Sequence, residues 1–367
     1  MIAFENGKLG DLLLKNRIVH SPTYEGLAGP DGSVTEELIR FNERIAGGGV
    51  AMHIVSNSYV HPSGRHLARQ VGIDSDELID GLSRLAAAIR RGGAVSCIQI
   101  SHCGVHGNEK ISGVPSMGPS DMENRRGGRA RAMTREEIAE AAGWFGKAAG
   151  RARRAGFDAV QIHAGHGYLV SAFLSPYYNK RQDEYGGDTE GRARFLMDVM
   201  RAIREEAGAS FPVLVKLNSE DGVEGGFTHE MMTETALKLE TAGAAAVELT
   251  RGCNADAGPF RVSSLPLDPK VPEEEGYYKT AAAKYKERVR TPLILVGGFR
   301  SPEGIERVLE SGLADFISIS RPLVREPELV KRWTEGDRTR AKCISCNRCM
   351  EVLGTERGIY CPLEKEN

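Results

Sequence analysis

The sequence predicts an α/β protein: a (β/α)8 TIM barrel followed by a short C-terminal cysteine-rich extension. Three observations carry this. Eight short, nearly continuous apolar runs recur along the 367 residues, each followed by a longer stretch with helical spacing. Unbroken apolar runs mark strands buried on both faces, as in parallel sheets, and eight such units suit a closed barrel. No G-x-G-x-x-G turn follows any early strand, which weighs against an open doubly wound sheet.

In order, the predicted strands are RIVHSP (17–22), VAMHIVS (50–56), AVSCIQIS (94–101) and FDAVQIHA (157–164). Then come PVLVKLN (212–218), AAVELT (245–250), TPLILVGG (291–298) and DFISIS (315–320). Between them the helix signals are local and chemical. Thr134 caps a long run that starts with glutamates, ends with arginines and stops at Gly156. Ser301-Pro302-Glu303 opens another helix, with proline at its first position. The barrel is assigned to residues 1–335 and the cysteine-rich tail to 336–367.

Composition excludes several classes. Net charge is −2, so no basic field would draw in nucleic acid or an acidic membrane. No apolar run reaches the ~18 residues of a membrane span, and the N-terminus lacks the pattern of a secretory signal. A cytoplasmic location is expected. There thiols stay reduced, and a close cysteine cluster favours a metal over disulfides.

In (β/α)8 barrels the chemistry sits at the C-terminal ends of the strands. Those ends carry Pro22-Thr23-Tyr24, Ser56-Asn57, Gln99 with His102, and His163 with His166 and Tyr168. They also carry Lys216, Arg251, Gly297-Gly298 and Ser320-Arg321. Such a polar, cationic rim, with a Gly-Gly turn after strand seven and an arginine after strand eight, suits a phosphate-bearing cofactor. On residues alone, a lysine ending strand five also fits a Schiff-base aldolase.

The segment IHAGHGYLVSAFLSPYYNKRQDEYGG (162–187) resembles the old yellow enzyme family of FMN-dependent NADH:flavin oxidoreductases. NRIVHSP, QISHCG, VGGF and SRPLVREP agree with the family in order, so the resemblance covers roughly the barrel. It implies FMN at the strand ends, NAD(P)H as reductant, and a small-molecule substrate such as an enone, enoate or enoyl thioester. These features displace the aldolase reading. A homo-oligomer is also expected.

The resemblance assigns roles residue by residue. His163 and His166 would bind the substrate carbonyl oxygen, where N–H donors stabilise growing negative charge. Tyr168 would be the proton donor, since a phenol is protonated at neutral pH. Gln99 would bond the flavin pyrimidine edge, its amide offering donor and acceptor together. Lys216 stands where arginine is common; it keeps the positive charge but loses the bidentate fork. Arg321 with Gly297, Gly298 and Ser320 would hold the FMN phosphate. Pro22, Thr23, Tyr24 and Asn57 would line the flavin. Tyr24 departs from the usual Thr or Cys.

The tail reads C-x2-C-x2-C-x11-C, formed by Cys343, Cys346, Cys349 and Cys361, with Pro362 after the last. It resembles the tails of 2,4-dienoyl-CoA reductase and trimethylamine dehydrogenase, which implies a [4Fe–4S] cluster. Three close cysteines plus one distant, ending in Cys-Pro, match iron–sulfur spacing. Zinc is the alternative, since it too takes four thiolates. A cluster would exchange electrons with an external electron-transfer protein or serve only to pin the tail to the barrel, and zinc would make the tail structural.

Overall fold

The computed structural model describes residues 1–123, 128–253, 275–353, 355 and 357–366. Eight parallel strands close on themselves, each paired with the next along the chain. They are β1 (Ile18–His20), β2 (Met52–Tyr59), β3 (Val95–Ser101), β4 (Ala159–Ala164), β5 (Val213–Asn218), β6 (Ala246–Thr250), β7 (Leu293–Val296) and β8 (Phe316–Ile319). The helices around them are α1 (Glu36–Gly47), α2 (Ile79–Arg91), α3 (Arg135–Arg154), α4 (Thr189–Ala207), α5 (His229–Thr241), α6 (Lys279–Arg288) and α7 (Pro302–Glu310). Two short ones follow β8: α8 (Arg321–Arg325) and α9 (Leu329–Thr334). This is the predicted (β/α)8 barrel.

Local chemistry sets the helix starts. Thr134 and Glu137 form a reciprocal capping box at α3, and Ser301 caps α7 ahead of Pro302. Each satisfies an amide that the first helical turn leaves without a partner. The N-terminal hairpin, Gly7–Leu9 paired with Leu12–Leu14, carries Leu9 and Leu14 into one core cluster with Val19, Leu214, Ile294 and Phe316. That apolar plug leaves the other end of the barrel to polar residues. β2 differs from its prediction: it runs past Ser56 to Tyr59, and its register against β3 shifts between Val55 and Ser58. The bulge carries polar residues into the strand.

The tail lies beside the C-terminal ends of β1 and β8. Ile359 N–H donates to the Glu25 carbonyl at 2.8 Å, and Ala341 N–H to the Arg300 carbonyl at 2.8 Å. Cys349 and Ile359 pack with Val324 of α8 in a small apolar cluster. Among the described residues no helix is long and apolar enough to cross a membrane.

Candidate active site

The floor of the barrel mouth is a buried hydrogen-bonded chain. Lys216 Nζ lies 2.8 Å from Glu248 Oε1, and the two residues are register partners on β5 and β6. Glu248 also accepts from Ser21 and Ser318 at 2.7 Å each, and from Gln161 Nε2 at 2.8 Å. Gln161 in turn accepts from Gln99 Nε2 at 2.8 Å. Burial pushes the Glu248 carboxyl up, but the Lys216 charge and these bonds outweigh it and leave the pKa below the ordinary value. The carboxylate is therefore charged and ion-paired with Lys216. Lys216, expected from the sequence to keep a positive charge beside the flavin, pairs with Glu248.

Above this floor stand His163, His166 and Tyr168. Their spacing comes from the turn that leaves β4. His166 sits at φ 62° and Gly167 at φ 73°. A left-handed histidine costs energy and persists only where surrounding bonds hold it. The Asn218 side chain does so, accepting from His166 N–H at 3.1 Å. The ring bonds fix the tautomers. Gly165 N–H donates to His163 Nδ1 at 3.2 Å, so His163 carries its proton on Nε2. That proton faces His166 Nδ1 at 3.3 Å, and His166 Nε2 then donates to Thr250 Oγ1 at 2.9 Å. Burial holds His163 well below the ordinary histidine pKa, and burial with the Lys216 charge lowers His166 to about 3. Both are neutral single donors. The Tyr168 ring lies 4.7 Å from His163, and its hydroxyl bonds His66 Nε2 at 2.8 Å.

The remaining predicted residues line the same end. Thr23 Oγ1 lies 2.6 Å from Ser320 Oγ, tying the ends of β1 and β8 together. Pro22 lies between them and the floor serine Ser21. Burial raises the Tyr24 phenol pKa. Asn57 Oδ1 is buried without a partner, although the Asn57 carbonyl accepts from Gln70 at 2.6 Å. Gly297 and Gly298 take φ of 140° and 75°, and a Cβ at Gly298 would lie 2.0 Å from the Tyr277 ring. The orphan amide oxygen and the glycine cradle fit a phosphate-bearing flavin. The rim cations are less available than their sequence suggests. Arg251 pairs with Glu220 at 2.7 Å, and Arg321 donates to Asn347 Oδ1 in the tail.

Arg321 thus faces two sites. It lines a small pocket with Cys343, Cys346, Cys349 and Cys361. All four predicted cysteines meet there. Ser345 and Asn347, which flank Cys346, take φ of 56° and 61°, curling the loop around the cavity. Burial raises the Cys349 thiol to about 11, which disfavours its bare thiolate. Among the described residues no three Cys, His, Asp or Glu side chains group tightly enough to hold a metal ion.

Four residues at this end were missed from sequence: Glu248, Gln161, His66 and Glu25. Glu248 left a signal, being the sole acid in the eight strands, as Lys216 is the sole Lys or Arg. Gln161 sits two residues before His163 and shares its face. His66 lies in a loop and carries no such mark. Glu25 is buried beside Ser56, whose hydroxyl donates to it at 2.7 Å; burial lifts its carboxyl to about 7.

The NADH:flavin oxidoreductase / NADH oxidase family matches residues 3–340. A 4,4'-dithiodibutanoate disulfide reductase from Rhodococcus erythropolis is 35% identical over 96% of this chain and 93% of its own. An NADH oxidase from Thermoanaerobacter brockii is 36% identical over 94% of this chain, which spans 52% of that relative. In structure, 2-naphthoyl-CoA reductase in complex with 2-naphthoyl-CoA superposes with TM-score 0.87 at 29% identity. That match covers 95% of this chain and 54% of that one. The old yellow enzyme homologue from Zymomonas mobilis gives 0.79 at 25% identity, covering 99% and 98%. The chain spans about half the length of the NADH oxidase and the naphthoyl-CoA reductase. With its closed barrel and its histidine–tyrosine mouth, the chain belongs to the NADH:flavin oxidoreductase / NADH oxidase family, the FMN- and NAD(P)H-dependent oxidoreductases of old yellow enzyme type.

Proposed function

We propose that the protein reduces activated alkenes, with a carbonyl or thioester next to the double bond. The observation that carries this is a phenol beside two neutral imidazoles at one strand end, with His163 and Tyr168 rings 4.7 Å apart above a buried polar floor. Reduced FMN, when bound, supplies hydride to the β-carbon. His163 and His166 receive the substrate oxygen: it replaces the bond between the two rings, accepting from His163 Nε2–H and, once the His166 proton moves from Nε2 to Nδ1, from His166 as well. Tyr168 gives its proton to the α-carbon. Gln99 and Lys216 serve the flavin's pyrimidine edge; Asn57, Pro22, Thr23, Tyr24 and Ser320 line it, and Gly297-Gly298 with Arg321 serve its phosphate. The naphthoyl-CoA complex of the structural relative supports a thioester as one acceptor class. The test is anaerobic. Protein reduced by NADH or NADPH is mixed with cyclohexenone or an enoyl thioester, and reoxidation is followed in the visible spectrum. Reoxidation with formation of the saturated product is expected. Absence of FMN, or reoxidation by no alkene, contradicts the reading.

The cysteine cavity favours a second element. Three close cysteines and a distant fourth, all lining one pocket, suit a [4Fe–4S] cluster better than a single zinc ion. Cys343, Cys346, Cys349 and Cys361 would hold it, and single electrons would reach an external protein. Anaerobic protein should contain iron and sulfide at about four each per chain. Cys346→Ala should remove both and leave FMN in place. Stoichiometric zinc without sulfide would make the tail structural.

A further inference from the structure

We propose that His66 is the positioning residue of the proton donor: it orients the Tyr168 hydroxyl and returns the proton that Tyr168 gives up. This rests on the reading of Tyr168 as the donor to the α-carbon. The two residues are 102 apart in sequence, yet His66 Nε2 and Tyr168 Oη lie 2.8 Å apart. Their rings meet edge-on, with centroids 5.0 Å apart and planes at 69°. His66 is 2% exposed. Its place is built in. Gln70 Oε1 accepts from His66 N–H at 3.1 Å, and Gln70 Nε2 donates to the Asn57 carbonyl at 2.6 Å. The loop bearing His66 is thereby tied to β2.

The chemistry assigns a direction to the bond. A phenol has one proton and two acceptor lone pairs. If that proton is aimed at substrate, the oxygen is best oriented by accepting from a second donor. An imidazole Nε2–H is such a donor, and it also stabilises the phenolate left when the proton departs. His163, the imidazole nearest the Tyr168 ring, is occupied: it accepts at Nδ1 from Gly165 and faces His166 through Nε2, while the His106 and His166 rings lie farther off at 6.4 and 6.5 Å. In one turnover the α-carbon gains the Tyr168 proton. The Tyr168 oxygen then takes the proton on His66 Nε2, while His66 Nδ1, buried in the closed site, takes one from a solvent water admitted as product leaves. One solvent proton enters, one C–H bond forms, and His66 stays neutral with its proton on the other nitrogen until the tautomer resets.

Five forms of the FMN-loaded protein decide this: wild type, His66→Leu, His66→Gln, Tyr168→Phe and the His66→Leu/Tyr168→Phe double variant that closes the cycle. His66→Leu removes donor and relay together and should slow single-turnover reoxidation by an alkene about tenfold. His66→Gln keeps an N–H donor and no relay; it should recover most of the single-turnover rate but stay slow in steady state. The double variant should be no slower than Tyr168→Phe alone. The 15N signal of His66 Nε2 should shift on Tyr168→Phe, a readout independent of turnover. Independent, multiplicative losses in the double variant, a steady-state rate for His66→Gln equal to wild type, or an unmoved 15N signal would each overturn the proposal. Wild-type protein that turns over normally while the cycle is multiplicative overturns the relay alone. Wild-type protein that no alkene reoxidises overturns the alkene reading and the relay with it.

Discussion

Lys216 and Glu248 show how a single pair organises the barrel mouth. An ammonium and a carboxylate, both within the wall of the barrel, are tolerable because each meets the other and the carboxylate takes three further bonds. Removing one partner leaves a buried charge. Glu248→Ala should therefore cost about 3–5 kcal/mol in denaturant unfolding, and Lys216→Met/Glu248→Leu should recover much of that loss. Equal losses in the single and double variants would show that the pair is not the unit. Lys216 was legible from its place at a strand end. Glu248 was not recognised, because inside AAVELT it reads as one polar residue in an apolar run. Its partner is set by β5–β6 register, which is a property of the closed sheet rather than of either segment. His66 was illegible for a different reason. It lies in a loop, and only the fold brings it to Tyr168.

Among the elements, the eight strands were legible to within a few residues, since burial on both faces demands uninterrupted apolar runs. The helix starts at Thr134 and Ser301 were equally plain, because caps are local chemistry. The turn after β7 is more exacting. Gly298 combines φ of 75° with a Tyr277 ring 2.0 Å from where a Cβ would stand. Gly298→Ala should lose about 1–3 kcal/mol of stability from backbone strain, with a further loss of FMN affinity in fluorescence titration. Wild-type stability and affinity would show the turn to be permissive. The tail was legible as a cysteine set but not in its placement. That Arg321 lines the cysteine cavity follows from α8 lying between barrel and tail, and spacing alone does not reveal it.

At the scale of the whole molecule, buried histidines set the response to acid. Burial lowers His20, His102 and His166 to about 3, and holds His53 and His163 well below the usual value. In the unfolded chain they titrate near 6.5. Between those values the unfolded state binds more protons, so stability rises with pH and is lost as pH falls below about 6.5. Each group contributes a slope of up to about 1.4 kcal/mol per pH unit. Glu25, raised to about 7 by burial, acts in the opposite sense, since the native state holds its proton longer than the unfolded chain. Asp74 and Asp221, also raised by burial, act with Glu25, but six lowered histidines, His61 among them, outnumber these three carboxyls and leave the net direction unchanged. Chemical denaturation at pH 7.5, 6, 5 and 4 should show stability falling steeply on acidification. A flat profile would mean that the histidines charge within the folded protein.

On the proposed reading, this barrel splits reduction into hydride from FMN and a proton from Tyr168. Stopped-flow comparison of wild type with Tyr168→Phe tests it most directly. Both proteins are reduced anaerobically by NAD(P)H and then mixed with cyclohexenone. Flavin reduction should proceed at similar rates, and reoxidation of Tyr168→Phe should be slower by about a hundredfold or more. Equal slowing of both half-reactions, or no slowing of either, would contradict the account.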